Sequence, residues 1–126
     1  MRRVHRWLAA RLDACRQGER LPLLPMVTAG FLRLVTHSRV FVEPTPLAAA
    51  RECLAALLAQ DGVERLHLGE ECPLLEALCR QHRITGNAVS DGWIAAAVLA
   101  GQERLGTLDR DLVSLLPPRQ LTLLRS

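Results

Sequence analysis

Residues 86–97 read Gly86-Asn87-Ala88-Val89-Ser90-Asp91-Gly92-Trp93-Ile94-Ala95-Ala96-Ala97, and residues 105–111 read Leu105-Gly106-Thr107-Leu108-Asp109-Arg110-Asp111. The first stretch opens an alanine-rich helical pattern just after Ser90. The second closes a short apolar run of the kind that forms a buried strand. Three carboxylates therefore stand where secondary structure is about to change. Open α/β sheets gather ligands at the carboxyl ends of strands, beside helix N-termini. Acids converging there repel one another unless a cation lies between them. Hard divalent ions such as Mg2+ or Mn2+ take oxygen ligands from one or two carboxylates and keep their other positions for water and phosphate. Asp91, Asp109 and Asp111 are thus the candidate metal ligands and catalytic residues of a phosphodiester-cleaving site. Singly, each has a plainer explanation: an acid in the first turn of a helix offsets the dipole, and aspartates in a strand exit form Asx turns. Only their joint placement selects the metal reading.

Working outward, the pattern alternates helices with short apolar runs. Val4, Trp7, Leu8, Leu12 and Cys15 recur at helical spacing over 2–17, and Gly18 marks the stop. Pro22 to Val27 reads as a buried strand, followed by a helix from Thr28 to about Ser38. Thr45-Pro46 signals a helix start, with Thr45 as N-cap, and the apolar stripe runs to about Gln60. Val63 to Leu68 alternates as a strand should. Residues 70–83 predict a helix with Cys72, Leu75, Leu78 and Cys79 inward. Gly101 ends the Asp91 helix, Arg104 to Leu108 predicts a strand, and Leu121 to Leu124 gives the last one. Strands alternating with helices predict an α/β fold with a mostly parallel central sheet, in a single domain over 1–126.

Composition narrows the class. Of 126 residues 49% are hydrophobic, enough for a packed core and too many for a disordered chain. No apolar run is long enough to span a bilayer, and the charged start lacks the apolar stretch of a secretory signal, so a cytoplasmic protein is expected. All 16 basic residues are arginine. Six of them lie in residues 1–20 against only Asp13 and Glu19, so the net charge of +3 comes from a basic first helix. Such a helix either steers a nucleic acid or is simply a solvated face. Cys15, Cys53, Cys72 and Cys79 fall in apolar helical patterns and read as small core residues. His5, His37, His67 and His82 lack zinc-site spacing. Trp7 and Trp93 read as core rather than as stacking platforms, since aromatics make up only 3% of the chain. No Gly-rich loop follows a strand and no nucleophile elbow is visible, which excludes the common nucleotide-binding and hydrolase motifs. A regulatory or small-ligand domain, with the acids serving as Mg2+ ligands or helix caps, is the reading from another class.

Gly86-Asn87 through Asp91 and Trp93 to Ala96, then Thr107-Leu108-Asp109-Arg110-Asp111, together with Phe31-Leu32-Arg33-Leu34-Val35-Thr36-His37-Ser38-Arg39-Val40-Phe41, resemble three blocks of the PIN-domain ribonucleases, in particular the VapC-type toxins of toxin–antitoxin pairs. The blocks keep the family's order over nearly the whole chain. The resemblance implies a three-layer PIN-like domain and a Mg2+- or Mn2+-dependent endoribonuclease toxin. It further implies RNA as substrate, a cognate antitoxin that neutralises it, and a homodimer. It assigns Asp91, Asp109 and Asp111 to the metal and the attacking water, with Thr107 supporting the site. Asn87 serves as a cap of the Asp91 helix or orients a ligand, the cap being preferred; Arg33 and Arg110 are candidates for phosphate contact. Two departures stand out. Members open with a strand carrying an aspartate, whereas this chain opens in the following helix, and Asp13 near that helix's end is no substitute. Gly30 also stands where many relatives have glutamate. The first strand is therefore expected to be missing, and three accounts are open: a start upstream of Met1, a decaying fragment, or a protein that binds antitoxin or RNA without cleaving.

Overall fold

The computed structural model describes residues 2–37 and 43–124. In chain order they form α1 (Arg2–Arg16), β1 (Leu21–Leu23), α2 (Pro25–Val35), α3 (Leu47–Leu58), β2 (Val63–Arg65), α4 (Glu71–His82), α5 (Val89–Ala100), β3 (Leu105–Thr107) and β4 (Leu121–Leu123). Short 3-10 turns occupy Gly86–Ala88, Arg110–Leu112 and Pro118–Gln120. The expected α/β class with parallel strands is borne out. β1 runs parallel to β2, with Leu21 opposite Val63, and β3 runs parallel to β4, with Leu105 opposite Leu121. The chain divides into two compact units, one over residues 6–67 and the other from residue 68 onward together with the start of α1.

In the first unit, Cys15 of α1, Leu24, Ala50 of α3 and Val63 of β2 are buried. The turn into β2 is tight. Gly62 holds φ at +74°, and a Cβ there would overlap the Glu19 carbonyl oxygen and sit 2.9 Å from the Cys15 Cβ. Glycine is needed because both the left-handed backbone and the close approach exclude a side chain. The Leu21 N–H donates to the Gly62 carbonyl at 2.9 Å, and the Leu66 N–H to the Leu23 carbonyl at 2.9 Å, so the ladder extends past both ends of the pair. Surface ion pairs join Arg11 to Glu19, Arg16 to Asp13 and Arg20 to Glu64.

The second unit is built on α4 packed against α5. Gly92, Ala95, Ala96, Ala97 and Val98 of α5 are buried, and so is Leu78 of α4. Small residues bring the two backbones close: a Cβ on Gly92 would lie 3.2 Å from the Leu75 Cδ1 and 3.4 Å from the Ile84 Cδ1. The buried Gln120 side chain ties β4 back to the end of α5, its Nε2 donating to the Glu103 carbonyl at 3.1 Å and the Val98 carbonyl at 3.4 Å. Leu112 and Leu116 bury the segment after β3.

Several sequence expectations need correction. The strand predicted over Pro22–Val27 stops at Leu23, because Pro25 takes the first position of α2, where a missing N–H costs nothing. α3 starts at Leu47 with Pro46 as N-cap, and no side chain caps it; the Thr45 N–H instead donates to the Val35 carbonyl at 2.8 Å. The strand predicted to reach Leu68 ends at Arg65. Gly101 keeps a right-handed φ after α5, and Gln102 takes the left-handed one at 52°. Cys53 and Cys72 are exposed, since the stripes of α3 and α4 face inward through Ala50 and Leu78. Trp93 is 37% exposed rather than a core residue. Ser38 to Phe41, the end of the second sequence block, lie outside the described residues.

Candidate metal centre

The three aspartates are placed by two adjoining pieces of backbone. Asp91 is the third residue of α5, in its first turn, and is half-buried. Asp109 and Asp111 bracket Arg110 as the chain leaves β3 and winds into its 3-10 turn. That exit is held locally. Thr107 Oγ1 accepts from the Asp109 N–H at 3.0 Å, and Asp109 Oδ1 accepts from the Asp111 N–H at 2.9 Å. Each hydroxyl or carboxylate oxygen thus satisfies the backbone donor two residues on, as in ST and Asx turns.

The start of α5 packs on this turn, and one carboxylate oxygen from each of Asp91, Asp109 and Asp111 lies within 4.8 Å of the others. Among the described residues no other group of three histidine, cysteine or acidic side chains comes together in this way. The cost of the arrangement falls on Asp91. Burial raises its proton affinity, and the neighbouring charges of Asp109 and Asp111 and a hydrogen bond with Asp109 raise it further. Among the described residues no arginine or histidine forms an ion pair with any of the three. A donor set of clustered, all-oxygen ligands, in no ion pair with another described residue, fits a hard divalent cation.

The remaining predicted residues separate. Thr107 adjoins the acids and its hydroxyl supports Asp109 directly. Asn87 does not cap α5: the N-cap is Ala88 without a side-chain bond, because the 3-10 turn of Gly86–Ala88 runs straight into the helix and the Gly86 carbonyl takes the Val89 N–H. Arg110 is exposed between the two acids, while Arg33 is exposed on α2 in the other unit. Neither enters an ion pair among the described residues. Exposed Leu108 and Val113 flank the acidic turn, and no periodicity or motif marks them out.

No protein-family model matches the chain. Curated proteins do. Ribonuclease VapC43 of Mycobacterium tuberculosis is 37% identical over 93 residues, covering 73% of this chain and 63% of that protein. A VapC ribonuclease of Mycobacterium bovis matches to the same extent. Ribonuclease VapC31 of M. tuberculosis is 33% identical over 87 residues, covering 68% of this chain and 61% of its own length. The chain thus spans less than two thirds of the length of these relatives.

Proposed function

Because the chain is a relative of the VapC-type PIN ribonucleases, with the PIN-like α/β fold that kinship implies, we propose that it is a metal-dependent endoribonuclease hydrolysing phosphodiester bonds of RNA. The observation that carries this reading is the convergence of three carboxylate oxygens within 4.8 Å at a strand exit and a helix start. Asp91, Asp109 and Asp111 would hold Mg2+ or Mn2+. Bound there, the ion supplies a water of lowered pKa and neutralises charge building on the phosphate. The chain's own residues do the placing. The Thr107–Asp109–Asp111 ladder holds the Asp109 carboxylate and the backbone that carries Asp111, and α5 brings the third acid. A carboxylate oxygen not engaged by the ion orients the attacking water and takes its proton. The water oxygen bonds to phosphorus, the bond to the leaving ribose oxygen breaks, and that oxygen is reprotonated. Arg110, exposed between the acids, is the phosphate contact nearest in sequence to the site, with Arg33 the second candidate and Asn87 a candidate to orient the ligand.

By the same kinship we propose a cognate antitoxin as protein partner, a homodimer as the working form, residues 1–126 as one domain and the cytoplasm as location. No helix among the described residues is long and apolar enough to cross a membrane. The test is cleavage of a fluorogenic RNA by the purified chain in Mg2+ or Mn2+, against EDTA and against Asp109→Asn. Metal-dependent cleavage that disappears in the variant is expected. A folded chain that binds RNA without cleaving it would refute the enzyme and leave a binding protein in its place.

A further inference from the structure

We propose that Arg80 and Arg83, at the end of α4, hold phosphates of the RNA strand beside the bond that the metal centre cleaves. This assignment rests on the reading of the chain as a metal-dependent ribonuclease and adds the contacts that seat its substrate. It starts from a residue that the local backbone disfavours. Arg83 follows α4 in the left-handed conformation, with φ at 53° and ψ at 44°. A side chain is crowded there and glycine is not. Glycine fills the positive-φ positions at Gly18, just past α1, and at Gly62 and Gly86. Gln102 is the other exception among the described residues, and it lies past the far end of α5 from Asp91. An arginine standing against its backbone preference, next to a candidate catalytic centre, points to a role for the side chain.

Position says what that role is. Ile84 packs on the start of α5, since a Cβ on Gly92 would lie 3.4 Å from its Cδ1. Gly92 follows Asp91 directly, so the backbone of Arg83 is one residue from a contact with the turn that carries the metal ligand. α4, α5 and the acidic turn all belong to one compact unit. Residues 83–90 hold no acid, and Thr85, Asn87 and Ser90 along them are exposed. A strand of phosphates laid there meets hydrogen-bonding groups and no added negative charge. The arginines are also uncommitted. Arg80 and Arg83 are exposed, and neither enters an ion pair among the described residues. Glu76 lies four residues before Arg80, at the spacing that favours a pair, and even that pair is not formed. The helix dipole accounts for cations in the last turn of α4, where Arg80 and His82 stand, but Arg83 comes after that turn. Two free guanidinium forks beside an all-carboxylate metal site complement a polyanion: the ion takes the phosphate being cleaved, and the arginines take its neighbours along the strand. Contacts of this kind position a strand without reading its sequence.

The test compares the whole chain with its Arg83→Gly and Arg80→Gln/Arg83→Gly variants. Fluorescein-labelled single-stranded oligouridylate is titrated in EDTA, so that binding is read without cleavage, from low to high KCl, and melting temperatures are measured alongside. Arg83→Gly should hold or raise the melting temperature, because glycine relieves the left-handed backbone. In the double variant the slope of log affinity against log salt falls by about 1.4, roughly 0.7 for each lost phosphate contact on a single strand. In Mg2+ the double variant should raise KM for oligouridylate several-fold with kcat unchanged. Uridylyl-uridine, which has no flanking phosphate, should be cleaved as by the parent. Arg104→Gln, exposed at the opposite end of β3 from the acids, should leave all of these unchanged. An unaltered slope in the double variant overturns the proposal, as does a lower melting temperature in Arg83→Gly or an equal loss in Arg104→Gln. Uridylyl-uridine slowed as much as the oligomer also overturns it, and so does equal binding of polyglutamate, in favour of an acidic protein surface. The nuclease reading fails separately, when the parent shows no metal-dependent cleavage while its RNA binding still depends on Arg80 and Arg83.

Discussion

Replacing Asp109 with asparagine removes the charge that its two neighbours share while keeping an amide oxygen to accept the Asp111 N–H. The carboxylate oxygens lie within 4.8 Å of one another, so in a water-like dielectric each like-charge contact costs about 0.9 kcal/mol. Two contacts end with the substitution. Screening at 0.1 M salt, with a Debye length of about 10 Å, leaves a relief of roughly 1 kcal/mol. Without divalent metal, Asp109→Asn should therefore be more stable than the parent chain, by roughly 3–5 °C in Tm for a chain of this size. Titrating Mg2+ should reverse the order, since an ion bound only by the folded state adds stability in proportion to RT ln(1 + [Mg2+]/Kd), and the variant has lost a ligand. Acid should act in the same direction as the substitution. Asp91 has its pKa raised above the ordinary carboxylate value of 3.8, so the folded chain binds more protons than the unfolded chain between the two values. Stability of the metal-free parent thus falls as pH rises through that window, and the fall is shallower in Asp109→Asn. Differential scanning fluorimetry across Mg2+ and pH reads both effects. A variant that is less stable without metal and responds to Mg2+ like the parent would refute the reasoning, and Asp109 would then be a cap and nothing more.

Gly62→Ala should destabilise the chain by more than about 2 kcal/mol, because the left-handed backbone and the overlap with the Glu19 carbonyl act together; urea denaturation measures it. Gly92→Leu should cost about 1–3 kcal/mol by forcing α5 away from Leu75 and Ile84, and it should also weaken the Mg2+ response by shifting Asp91, which a shift in the midpoint of the Mg2+ titration would reveal. Gln120→Leu removes two donated hydrogen bonds from the joint between α5 and β4 and should cost about 1–2 kcal/mol in chemical denaturation, without changing the apparent Mg2+ affinity.

What could be read from the residues is what local chemistry determines. Thr107, Asp109 and Asp111 lie two apart, so their turn follows from side-chain reach alone, and the strand exit is recognisable before any tertiary contact is known. The alternation of helices and strands was legible for the same reason. Strand limits were not. Val63 to Leu68 alternates throughout, yet the register covers only Val63–Arg65, with one further bond from the Leu66 N–H, because pairing length depends on where β1 ends. β1 ends early because Pro25 suits both a strand boundary and the first turn of a helix, and sequence alone does not choose between them. Cys53, Cys72 and Trp93 show another limit. On short helices whose inward side is satisfied by Ala50, by Leu78 or, on α5, by Ala95 to Val98, apolar residues to the flank stay outside, and periodicity does not rank them. Asn87 has the residue type of a cap but does not act as one, because the 3-10 turn before α5 supplies a backbone acceptor in place of a side-chain cap.

The hydrogen bonds of residues 107–111 divide the site into a preassembled half and a delivered half. Asp109 and Asp111 keep their places through contacts closed within five consecutive residues, whereas Asp91 arrives only when α5 docks on the turn. An ion held by all three would therefore rivet the start of α5 to the exit of β3, two segments separated by most of a helix and a strand. Metal occupancy would then be written into the exchange of the first α5 amides with solvent: slow when the rivet is in place, faster when it is drawn out, while the Asp111 amide, fastened by its own neighbour, reports almost no difference.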